Sequence, residues 1–75
     1  MDRDWTADVK GMLRAEMTRR HLSYRDLVEK LAIIGVSETE ANLRNKISRG
    51  GFTAVFLVQC LIAMDVRSLR LHEAD

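Results

Sequence analysis

Apolar residues recur along this chain at spacings of three and four, the period of an amphipathic helix. Trp5, Val9, Met12 or Leu13, and Met17 form the first stripe and predict a helix from Asp4 or Thr6 to about Arg20. Asp2, Asp4 and Asp8 suit the positive N-terminal end of that helix, and Arg19, Arg20 and His21 suit its negative C-terminal end. Gly11 lies inside it, as either a close packing point or a mild defect costing about 1 kcal/mol against Ala. Leu27, Leu31 and Ile34, with Val28 beside them, supply a second stripe. The second helix is expected from Tyr24 to about Ile34. Ser23 and Asp26 open it in a capping-box arrangement, and Gly35 ends it in a left-handed conformation.

Ser37 and Glu40 form an S-x-x-E capping box, with Thr39 as an alternative cap, and predict a third helix from Glu38 to about Ser48. Gly50-Gly51 stops it, and Thr53 is the next cap. The fourth helix, Ala54 to Met64, is apolar nearly all round, which predicts burial inside the domain or partly against another subunit. The segment Val66 to Leu71 alternates imperfectly and reads as a short strand or a last helical turn; a strand would need a partner, such as the same segment of a second copy. The pattern as a whole describes one all-α domain over 1–75, of four to five short helices with a core over about 5–66, a tail over 67–75 and an optional C-terminal strand.

Composition narrows this picture. A chain of 75 residues buries a modest fraction of its surface. One cysteine excludes an intrachain disulfide, and Cys60, His21 and His72 match no metal-ligand spacing. Stability must then come from helix packing, a partner subunit, or both. Cys60, mid-helix among apolar residues, reads as a small buried hydrophobe, His21 as a surface residue at a helix end, and Trp5 and Met17 as core. The start MDRDWTAD is not a signal peptide and the longest apolar run is too short to span a bilayer, so a cytoplasmic location is the default expectation. No nucleophile triad, paired carboxylates or phosphate loop is apparent; an enzyme, a cofactor, a metal and a small-molecule substrate are not expected.

The net charge is +1, but the charge is patterned. No acidic residue falls between Ala41 and Met64, whereas Arg44, Lys46 and Arg49 do; Lys10, Arg14, Arg19, Arg20 and Arg25 stand against Glu16 in the segment from Val9 to Arg25. On a helical wheel, Asn42, Asn45, Lys46 and Arg49 share one side of the third helix while Leu43 and Ile47 point inward. Asn pairs bidentately with adenine and Arg with guanine, and Lys makes point contacts to phosphate or guanine. Arg44 and Ser48, further round, would sit near a backbone strand. The bland reading of the same face is a solvated helix surface, and Glu38 and Glu40 at the helix start would repel phosphate.

The run from Leu22-Ser23 through Leu27, Leu31, Gly35-Val36-Ser37, Leu43, Ile47, Arg49-Gly50 and Asp65-Val66 resembles the phage-repressor-like helix-turn-helix domains, the Cro and lambda-repressor superfamily. It is also similar to a group of bacterial proteins of unassigned function that share a KIxRGxF core, here Lys46-Ile47-Ser48-Arg49-Gly50-Gly51-Phe52. The repressor resemblance implies a lambda-repressor-like topology, a third helix that reads the major groove of double-stranded DNA, and phosphate contacts at the start of the second helix through Ser23, Tyr24 and Arg25. It implies a transcriptional regulator working as a homodimer, with helix 54–64 and tail 66–71 as the expected contact. Two features depart from that pattern: Val28 stands where a small residue is usual, and the segment from Ala32 to Thr39 is longer than a tight turn. The alternative is a protein-interaction module, a helical adaptor or antitoxin-like partner on a helix-turn-helix fold that does not bind DNA. That alternative requires an exposed apolar patch and no basic surface joining the second and third helices.

Overall fold

The computed structural model describes residues 3–69 and residue 71. Four helices follow one another: α1 (Trp5–Arg19), α2 (Tyr24–Ile33), α3 (Glu40–Arg49) and α4 (Ala54–Ala63). Each begins on a polar side chain that accepts a hydrogen bond from a backbone N–H of the first turn. Asp4 accepts from Ala7, Ser23 from Asp26, Thr39 from Asn42 and Thr53 from Phe56. At Ser23 the capping box is complete, because the Asp26 carboxylate accepts in return from the Ser23 backbone N–H at 2.9 Å.

The helix ends are equally regular. α1, α2 and α4 close with the same pair of backbone bonds. The residue two beyond the cap donates to the third carbonyl from the helix end: Leu22 to Met17, Val36 to Leu31 and Val66 to Leu61. The intervening residue takes a left-handed conformation, at His21 (φ 56°), Gly35 (φ 84°) and Asp65 (φ 60°). Leu22, Val36 and Val66 then pack on the core, so each stop also fixes the direction in which the chain leaves.

The core takes two residues from each helix, Leu13 and Met17, Leu27 and Leu31, Leu43 and Ile47, Phe56 and Cys60, and adds Met64. α3 packs on both α1 and α2, and α2 also packs on α4. Val28 is half-buried against this core.

The structure departs from the sequence-based expectations in six places. Ile34, the cap after α2, is 42% exposed, so the buried stripe of α2 ends at Leu31. Thr39, and not Ser37, caps α3, which therefore starts at Glu40. Trp5 is 67% exposed, with the Arg3 guanidinium over its ring, so it does not extend the apolar stripe into the core. Gly11 has open space where a side chain would be and is no packing point. α4 is not buried all round: Phe56 and Cys60 face the core, while Val55, Val58 and Ile62 face outward. Among the described residues of the tail, Val66 to Leu69 form neither helix nor strand; the strand expected over 66–71 otherwise includes Arg70, which lies outside the described residues.

Candidate nucleic-acid interface

α3 divides as its sequence suggests. Leu43 and Ile47 are fully buried, and Asn42, Asn45, Lys46 and Arg49 are exposed. These four polar residues, with Gly51 and Phe52, line one open groove of about 430 Å³ beside the start of α4. The groove therefore carries two amides, an ammonium and a guanidinium on one side and an aromatic edge on the other. Phe52 is held in place by Phe56, with ring centroids 5.3 Å apart.

Lys46 is less free than its position on the wheel implies. Its ammonium pairs with the Glu38 carboxylate at 2.5 Å and lies 5.1 Å from the centre of the Phe56 ring. The Glu38 side chain is only 9% exposed, so the turn before α3 is tied down onto the second turn of that helix. Glu38, one of the two acids at the helix start, is thus neutralised by Lys46 of the groove. Arg44 lies on the opposite flank of α3. It pairs loosely with Glu40 at 3.5 Å, and its guanidinium stands 5.4 Å from the centre of the Tyr24 ring. That contact joins α3 to the first turn of α2, where Arg25 is exposed. Ser23 is occupied by capping, and its hydrogen bonds to Asp26 hold the Asp26 carboxyl below the usual range.

The eight residues expected to touch DNA therefore fall into two sets. Asn42, Asn45, Lys46 and Arg49 share the groove, while Ser23, Tyr24, Arg25 and Arg44 gather at the start of α2.

Two further clusters escaped the sequence reading. Lys10 and Arg14 of α1 both reach the last turn of α3: Lys10 Nζ donates to the Ser48 carbonyl at 3.0 Å and Arg14 to the Ser48 hydroxyl at 3.4 Å. Their spacing, one turn apart on α1, was a visible signal, but the partner was not. At the other end of α1, Glu16 is buried and accepts from Arg19 at 2.8 Å and Arg20 at 2.5 Å; Arg20 also donates to the Met64 carbonyl at 3.1 Å, joining α1 to the end of α4. Burial pushes the Glu16 carboxyl up, but the hydrogen bonds and charges of Arg19 and Arg20 outweigh it and hold it below the ordinary range.

Cys60 is fully buried, and burial pushes its thiol up to about 12, aided by the Glu38 carboxylate and opposed by Lys46. It is a packed, un-ionised side chain. No helix among the described residues is long and apolar enough to cross a membrane.

A four-helix unit with a groove on one exposed helix face is what these residues build. Residues 5–69 match a domain of unknown function, DUF6471, and the chain belongs to that family. No curated protein and no solved structure matches the chain.

Proposed function

We propose that this protein binds double-stranded DNA as a transcriptional regulator, with α2, the turn and α3 forming a phage-repressor-like helix-turn-helix unit. The observation that carries the reading is the groove shared by Asn42, Asn45, Lys46 and Arg49 on the exposed face of α3. Asn42 and Asn45 would read base edges, Arg49 a guanine or a phosphate, and Tyr24, Arg25 and Arg44 the backbone at the start of α2. A single helix of this length makes few base contacts, so the working species is a homodimer, with the outward face of α4 as its contact.

Fluorescence anisotropy on a pooled random duplex at two salt concentrations tests this. Wild-type protein should bind at low salt and weaken steeply at high salt. On a duplex selected from that pool, replacing Asn45 and Arg49 together by Ala should cost about 2–6 kcal/mol, given about 1–3 kcal/mol for each good base contact. No binding at low salt, or binding indifferent to both substitutions, defeats the proposal.

A second reading has an observation of its own: Val55, Val58 and Ile62 are 68%, 50% and 60% exposed on one side of α4. That stripe suits a protein-interaction module whose partner is another protein. Wild type that ignores duplex DNA and stays monomeric would favour this reading.

A further inference from the structure

We infer that Lys10 and Arg14, gathered on Ser48, form a phosphate clamp at the C-terminal end of α3, a site for the DNA backbone that lies outside the groove-reading face. The inference rests on the proposal that the protein binds duplex DNA. Its first ground is the way the charges are disposed. Arg19 and Arg20 pair with Glu16, Arg44 with Glu40 and Lys46 with Glu38. Among the described residues, Lys10, Arg14, Arg25, Lys30 and Arg49 have no carboxylate at ion-pair distance, and of these Lys10 and Arg14 meet on one residue. Lys10 and Arg14 stand one turn apart on α1, a like-charge spacing that disfavours the helix, and both are drawn to the same residue, Ser48.

Helix stability accounts for only part of this gathering. The negative end of α3 attracts a cation, and Lys10 on the Ser48 carbonyl already supplies one. Arg14 makes a long bond to an exposed hydroxyl, and Arg49 lines the neighbouring groove. The excess positive charge fits an anion. A phosphodiester oxygen here could accept from Lys10 Nζ, which retains two protons beyond its bond to Ser48, from the Arg14 guanidinium, and from the Ser48 hydroxyl, whose oxygen is the acceptor for Arg14.

The arrangement is also fixed in place. Gly50 turns the chain so closely under α1 that an added Cβ would lie 3.0 Å from the Thr6 carbonyl oxygen, which holds α1 against the end of α3. Because Lys46 is engaged by Glu38, α3 alone offers little free positive charge there, and α1 makes up the difference.

The experiment is the salt dependence of duplex affinity for wild type and for Lys10→Gln with Arg14→Gln. Each phosphate neutralised contributes about 0.9 to the slope of log K against log salt, and Lys10 and Arg14 share one, so the double variant should lose about 0.9 from the slope and weaken alike on all duplex sequences. The charge-keeping pair Lys10→Arg with Arg14→Lys should retain the wild-type slope. If the double variant loses its helical circular dichroism, Arg14→Gln alone, at an exposed position, should still lower the slope by part of that amount. A slope unchanged in a folded variant overturns the clamp and leaves duplex binding intact. Wild type that binds no duplex at low salt overturns the parent proposal instead. Inorganic polyphosphate followed by amide NMR then decides the clamp separately: shifts centred on Lys10, Arg14 and Ser48 uphold it, and their absence overturns it.

Discussion

Gly50 is where one atom matters most. It sits at φ 75°, where a side chain costs about 1–2 kcal/mol, and its missing Cβ would fall 2.7 Å from Thr6 Cγ2. Gly50→Ala should destabilise by about 2–3 kcal/mol, read as a lower urea midpoint at unchanged slope, whereas Gly51→Ala, with open space around it, should be close to neutral. The sequence marked both glycines as a helix stop, but it could not say which was indispensable, because the obstacle is a residue of α1 far away in the chain. Glu16 was equally illegible: an isolated acid among arginines reads as surface until Arg20 is seen reaching the end of α4. Its folded carboxyl sits below the unfolded value, so the unfolded chain takes up the extra proton as pH falls. Its contribution is whole above about pH 4.3 and is lost below it. Glu16→Gln should therefore flatten the fall in thermal midpoint between about pH 5 and pH 3 relative to wild type; an undiminished fall would assign the acid sensitivity to other carboxylates.

At the scale of elements, period and capping signals were legible, since both are local. All four helices begin within a residue or two of their predicted starts, and Gly35 ends α2 in the left-handed conformation expected of it. The start of α3 was the exception. Ser37, Thr39 and Glu40 offered two competing caps of similar intrinsic strength, and tertiary contact decided between them. Glu38 reaches Lys46 across the helix, so the chain stays extended until Thr39, whose φ of −96° and ψ of 156° are those of a cap. The long turn is therefore fixed at both ends: Val36 packs on the core and Glu38 on α3. A double-mutant cycle on Glu38→Gln and Lys46→Met should return a coupling of about 0.5–1 kcal/mol, as Lys46 remains partly solvated. Hydrogen exchange should quicken over residues 40–43 in Glu38→Gln. Zero coupling would mean that the turn is held by Val36 and Thr39 alone.

For the molecule as a whole, α4 poses the question that sequence could not settle. Its run of Val55, Phe56, Leu57, Val58, Cys60, Leu61 and Ile62 has no polar face, so periodicity could not tell which side turned inward. A domain of 75 residues has too little interior to cover every side of such a helix. The core takes Phe56 and Cys60, and what remains is a stripe of Val55, Val58 and Ile62 at helical spacing with no charge along it. A second copy can approach that face about a two-fold axis without placing like charges together, which is the condition an isologous contact must meet. The proposed dimer would make Val58, at the middle of the stripe, the sensitive position. Wild type should sediment as a dimer at tens of micromolar and its thermal midpoint should rise with concentration. Val58→Asp should sediment as a monomer with a concentration-independent midpoint, at little cost to the fold because the side chain is half exposed. On a duplex carrying two half-sites, the same substitution should abolish the affinity gain over a single half-site while leaving single half-site binding unchanged, because α3 and its groove are untouched. A monomeric wild type would leave the stripe to a different partner. A Val58→Asp variant that unfolds would show instead that this face is packed within the domain.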